Sequence, residues 1–176
     1  VTGYFFDNNA FDGTNLTSAG FAPVMFLARY NADGTLAWAR KAGGGTSELE
    51  GHGVATFPDG SAVVTGYFFD NNAFDGTNLT SAGGSDVFLA RYDPVNYRYV
   101  EVRPEGLAWA KQTVNTAGYA ISTFPDGSSV VTGNFGGSAD FGSTPLTGAG
   151  SVDIFIARYK PDGSLAWAKR AGGGDE

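Results

Sequence analysis

Apolar and polar residues alternate over short stretches of this chain, and no stretch sustains the 3.6-residue period of an amphipathic helix. Gly53-Val-Ala-Thr-Phe57 predicts a strand, closed by a turn at Pro58-Asp59-Gly60. Proline presets φ at the first turn position, and glycine supplies the left-handed residue that a three-residue hairpin needs. Phe57 precedes a proline and is pushed to extended geometry, which suits a strand end. Ser61 to Phe68 predicts a second strand, β-branched and aromatic, and a polar excursion follows from Asp70 to Ser85. Val87-Phe-Leu-Ala-Arg-Tyr92 and Leu107-Ala-Trp-Ala-Lys111 predict the third and fourth strands. The unit is four antiparallel strands.

The unit recurs. Residues 64–83 repeat residues 1–20 letter for letter, and a looser copy begins at Val131, so the spacings are 63 and 67 residues. Self-similarity at such a period marks an array. Copy one opens at its second strand, so the pattern predicts 11 strands in about three blades. Blade 1 covers 1–50 and lacks its first strand; blade 2 covers 51–117 with a hairpin insertion at 94–104; blade 3 covers 118–176. Side chains alternate across a strand, so Leu36 and Trp38 are expected on one face, with Ala37 and Ala39 on the other. Trp109 and Trp167 repeat the split. A bulky tryptophan face stacked on the alanine face of the next unit is how propeller blades pack. The fold class is therefore all-β, a β-propeller segment. Closed propellers take roughly four to eight blades. Three blades would leave apolar faces and a strand edge in water, so the chain reads as a section of a larger ring. A ring built from several copies is the alternative. The partners expected on this count are further blades of one longer chain or copies of itself.

Composition narrows the function. The 27 glycines, 14 Phe, 8 Tyr and 3 Trp suit short strands and tight turns. Net charge −7 and a pI near 4.5 argue against a nucleic-acid partner, because phosphate binding needs a basic surface. No apolar run approaches the ~20 residues of a membrane helix, so no membrane insertion is expected. There is no cysteine, which removes disulfides, thiol nucleophiles and zinc–cysteine sites. Any targeting segment would lie outside these 176 residues.

Several motifs recur in fixed order over essentially the whole chain. They are Thr-Phe-Pro-Asp-Gly-Ser-x-Val-Val-Thr-Gly at 56–66 and 123–133, the Phe-(Leu/Ile)-Ala-Arg-Tyr strand, and Asp-Gly-x-Leu-Ala-Trp-Ala. In these the chain resembles the bacterial β-propeller repeats called SBBP. The resemblance implies a propeller in a secreted or cell-surface bacterial protein, and it maps no catalytic residue.

Candidate chemistry lies mainly where the copies disagree. In the insertion, Tyr97, Tyr99 and Glu101 alternate with Arg98, Val100 and Val102, which suggests an aromatic, charged flap for a partner or sugar. Surface loops also accept insertions at little cost. Asp7 and Asn9, with Asp70 and Asn72, keep the alternate-position oxygen spacing of a calcium loop. Phe11 and Phe74 then break that spacing, and copy three replaces the stretch, so an ordinary Asx turn accounts for it. No cofactor is expected, and calcium is the one candidate the pattern offers. Asn15-Leu-Thr17 and Asn78-Leu-Thr80 match the glycosylation acceptor pattern, which in this setting signals exposed loops. His52 is the single histidine, and no motif places a serine or carboxylate beside it. Arg29, Arg91 and Arg158 share one strand position, where an ion pair with a turn aspartate is expected. The tryptophans read as core.

The chain is therefore expected to be a non-enzymatic structural or interaction module. A carbohydrate-binding propeller with repeated sites between blades is the alternative. An enzyme would need acids or a histidine converging at the ring centre, and only His52, Glu48, Glu50 and Glu101 are available.

Overall fold

The computed structural model describes residues 1–18, 20–44, 46–94, 106–142 and 144–173. They form strands and no helix. Blade 1 is β1 (Thr2–Phe5), β4 (Val24–Tyr30) and β5 (Leu36–Ala42), hydrogen-bonded in that order. Blade 2 is β6 (Leu49–Thr56), β7 (Ala62–Phe68), β10 (Asp86–Asp93) and the first part of β11 (Gly106–Thr123). Blade 3 is the rest of β11 with β12 (Ser129–Asp140), β14 (Asp153–Tyr159) and β15 (Leu165–Ala171). All pairings are antiparallel. One 18-residue strand is thus the last of blade 2 and the first of blade 3.

That strand bends at Asn115, whose φ is 56°, and its register shifts between Val114 and Thr116. The fully buried Asp86 fastens the bend. Its Oδ1 accepts the Asn115 N–H at 3.0 Å, and its Oδ2 accepts the Ala82 N–H at 3.0 Å. Asp86 carries no sequence signal, because its neighbours at 82 and 115 come together only in the fold.

The blades stack tryptophan face to alanine face. Trp38, Met25 and Leu27 of blade 1 pack with Val64, Phe88, Ala90 and Ala110 of blade 2. Trp109, Val63 and Leu89 of blade 2 pack in the same way with Val131, Phe155, Ala157 and Ala168 of blade 3. One expectation fails. Leu107 joins the cluster facing blade 1, whereas Trp109 joins the cluster facing blade 3. A bulge explains it: Tyr92 pairs Leu107 and Arg91 pairs Trp109, so Ala108 is an extra residue that flips the parity. The same shift recurs at Arg29/Tyr30 and Arg158/Tyr159. Among the described residues nothing covers the tryptophan face of blade 3. Ile154 and Ile156 are 55% and 39% exposed there, against 3% for both Val87 and Leu89 at the matching positions of blade 2.

The polar excursion also differs from expectation, since it folds into short hairpins. These are β2 (Asn8–Phe11) with β3 (Thr14–Thr17), β8 (Asn71–Phe74) with β9 (Thr77–Thr80), and the end of β12 with β13 (Pro145–Thr147). Each contributes one phenylalanine and one leucine to the core margin: Phe11 and Leu16, Phe74 and Leu79, Phe141 and Leu146. Two large apolar residues in ten are too few to show as a strand pattern, yet they suffice to seat the hairpin.

The hairpin turns form as expected, with Gly60 and Gly127 at φ 84° and 81°. In four of the Asp-Gly turns, those joining the long strands, the aspartate accepts both the amide and the hydroxyl of the residue two further on: Thr35 for Asp33, Ser61 for Asp59, Ser128 for Asp126 and Ser164 for Asp162. These bonds hold Asp33, Asp126 and Asp162 below the ordinary carboxylate value of 3.8. A depressed folded pKa stabilises the fold fully above the unfolded value and is lost as pH falls through the folded one. The urea midpoint should therefore drop below about pH 4. An Asp126→Asn, Asp162→Asn variant should lose part of that drop, and an unaltered pH profile would remove the turns as its source.

Candidate functional site

The residues that do not recur come together at the inner strands, where blades 2 and 3 converge. β6 begins at Leu49, four residues before the strand expected from sequence, so Glu50 and His52 lie on a strand. Glycine-rich, polar residues gave no strand signal there; pairing with β7 makes the strand. The register shifts between Gly51 and Gly53, leaving His52 without a ladder partner on β7.

The imidazole Nε2 of His52 lies 3.2 Å from Glu50 Oε2. Its ring stacks on Tyr119 of β11, with centroids 5.6 Å apart and planes at 11°. It meets Tyr67 of β7 edge-on at 5.1 Å. Tyr67 pairs Glu50 across the sheet. Burial, then a hydrogen bond to Glu50 and the charges of Glu50 and Glu48, push its phenol above the ordinary tyrosine range. Tyr67 therefore keeps its proton beside Glu50, the carboxylate that the imidazole also meets. A carboxylate so placed orients the ring. Tyr119 is 48% exposed, so the cluster presents an aromatic face with a hydrogen-bonding interior. The i, i+2 spacing of Glu50 and His52 is the available signal, hidden because the sequence pattern predicts the strand only from Gly53.

Part of this surface repeats. Tyr4 and Phe6 meet edge to face at 6.0 Å in blade 1, as Tyr67 and Phe69 do at 5.9 Å in blade 2. His52 and Tyr119 occupy the same repeat position, two residues ahead of Gly-Val-Ala-Thr-Phe57's second residue and its counterpart Ile121.

The other sequence candidates scatter. Asp7 and Asp70 adopt left-handed φ of 57° and 51° at the turns into β2 and β8. Their backbone carbonyls accept the Ser18 and Ser81 amides, each at 2.7 Å. Asn9 Nδ2 donates to the Phe6 carbonyl at 2.9 Å, and Asn72 Nδ2 to Phe69 at 2.9 Å. Asn72 is buried, and its Oδ1 has no hydrogen-bond partner beside a cleft of ≈440 Å³ lined by Gly43, Gly44, Asn71, Asn78 and Thr80. Among the described residues no three of His, Asp and Glu gather as a metal centre. Tyr97, Arg98, Tyr99 and Glu101 lie outside the described residues. Arg91 and Arg158 pair with Asp59 and Asp126 at 3.1 and 2.8 Å. Trp109 Nε1 donates to the Pro161 carbonyl of blade 3 at 3.1 Å, so this tryptophan locks adjoining blades.

Comparison with curated proteins finds no match to the chain. Residues 125–165, from the first turn of blade 3 to the start of its last strand, match the family described as domain of unknown function (DUF5122) beta-propeller, and the chain is a segment of β-propeller repeats.

Proposed function

We propose that the chain is a non-enzymatic structural and interaction module, the repeat region of a secreted or cell-surface bacterial protein akin to the SBBP repeats. The observation that supports this reading is the division of labour between recurring and non-recurring residues. The recurring arginines, turn aspartates and tryptophans are used in joining strands and blades. The non-recurring Glu50, His52 and Tyr119 form one half-exposed patch on that scaffold. Aromatic residues around hydrogen-bonding groups on a rigid support are what a protein partner engages most strongly. This role needs no cofactor and no membrane or nucleic acid.

A lectin-like role is the second reading, favoured by the Tyr4–Phe6 and Tyr67–Phe69 pairs, which repeat one aromatic geometry in neighbouring blades. A glycan array followed by calorimetric titration separates the two. We expect no glycan to bind at micromolar concentration. Binding with about one site per blade would overturn the interaction reading in favour of the lectin.

A further inference from the structure

In blades 2 and 3 the strand arginine sits in a clamp built by the inner hairpin of its own blade. The Arg91 guanidinium lies 4.6 Å from the Phe57 ring centroid and 3.1 Å from Asp59. Arg158 repeats this over Phe124 at 4.7 Å and beside Asp126 at 2.8 Å. Both halves of the clamp come from one Phe-Pro-Asp-Gly turn. Phenylalanine offers the cation a π face and aspartate offers it a charge.

Arg29 holds the same position in blade 1. It is exposed, and among the described residues no carboxylate or ring engages it. Two further features of the same place are unfilled. The edge of β1 away from β4 pairs with no strand among the described residues. A cleft of ≈390 Å³ opens beside it, lined by Val1, Leu27, Arg29, Trp38, Val54 and Phe57 among others. At the next seam the corresponding space is filled, because Phe57 is 5% exposed among Val63, Leu89 and Val131.

We infer that this cleft is the seat of an extended strand ending in Phe-Pro-Asp-Gly, whose phenylalanine fills the cleft beneath Arg29 and whose aspartate pairs with the guanidinium. The register is already set. Val1 exchanges both backbone bonds with Ala28 at 2.9 Å, as the matching Val64 pairs with Ala90. An incoming strand would place its bulge glycine opposite Gly3, as Gly51 lies opposite Gly66 and Gly118 opposite Gly133. The two Phe-Pro-Asp-Gly turns of this chain, at 57–60 and 124–127, are engaged in their own sheets. A folded second copy therefore has none to lend, and the occupant is a strand of the same repeat type carried outside these 176 residues. Backbone pairing supplies affinity and the phenylalanine pocket supplies specificity, as in other strand additions. The site is separate from the patch at His52.

A labelled synthetic peptide copying residues 49–62 tests it, by fluorescence anisotropy against the whole chain. We expect saturable one-to-one binding. The peptide with Phe57→Ala should bind about tenfold or more weakly. An Asp59→Asn peptide and an Arg29→Gln chain should each lose roughly two- to fivefold, and less than the product when combined. As a second measurement, the chain extended ahead of Val1 by a copy of residues 49–63 should melt higher than the same extension carrying Phe57→Ala. No binding together with no gain from the extension would overturn the proposal, as would equal binding of the Phe57→Ala peptide. Glucuronate that binds in place of the peptide, and is lost with Arg29→Gln, would make the cleft a small-carboxylate pocket and overturn it too.

Discussion

Replacing Phe88 by alanine should destabilise the fold by about 3–5 kcal/mol, and Phe155→Ala should match it. The same change at Phe26 should cost only about 1–2 kcal/mol. The three phenylalanines hold one repeat position, so the residue and its strand are constant and only the surroundings vary. Phe88 and Phe155 are fully buried, each against a hairpin phenylalanine at 5.0 Å and beneath the preceding blade. Phe26 keeps its hairpin neighbour, Phe11, at 4.8 Å, but among the described residues no further blade packs on it and it remains half-buried. Urea denaturation followed by near-UV circular dichroism reads the ranking. A Phe26→Ala loss as large as that of Phe88→Ala would mean that something covers the outer face of blade 1 in solution.

Gly66→Ala and Gly133→Ala should each cost about 3 kcal/mol, a fall of roughly 6–12 °C in Tm. A Cβ at Gly66 would fall on the Glu50 carbonyl oxygen and 2.9 Å from the Phe88 ring; at Gly133 it would fall on the Ala117 carbonyl and 2.8 Å from Phe155. The obstructing atom is backbone held by the bulge of the inner strand, so relief requires opening the sheet. Gly3 is the informative comparison. The three atoms nearest its Cβ all belong to the Phe26 ring, which can turn aside, so Gly3→Ala should cost far less. Gly173→Ala, in open space, should be silent in differential scanning calorimetry. Equal losses at Gly3 and Gly66 would show that ring contact, and not the bulge carbonyl, decides the requirement for glycine.

The contrast between these positions also shows what could be read in advance. The strands at 62–68, 86–93 and 165–171, the Asp-Gly turns and the tryptophan-to-alanine stacking all follow from local preferences that recur. Repetition turns a weak local signal into a strong one, because chance rarely places Phe-Pro-Asp-Gly and Ala-Trp-Ala in the same order twice. The Arg91–Asp59 and Arg158–Asp126 pairs were legible for the same reason. The short hairpins, the strand start at Leu49 and the flip of Leu107 were not. A bulge adds one residue without a composition signature, yet it reverses the facing of everything before it.

The candidate site was the least legible part. Glu50 and His52 are two residues apart, but Tyr67 stands 15 residues from His52, and Tyr119 lies 67 away on the next blade. Their contact needs the bulge at His52 and the convergence of the inner strands, where Gly53 comes within 3.2 Å of Ala120 measured from its would-be Cβ. Secondary structure and blade order were set by the residues themselves, since alternation, turn chemistry and recurrence are local properties of a chain. Which polar residues face one another, and which arginine is left without its clamp, was decided only by tertiary packing. Those contacts depend on bulges and on strand edges, and a linear pattern of apolar and polar positions records neither.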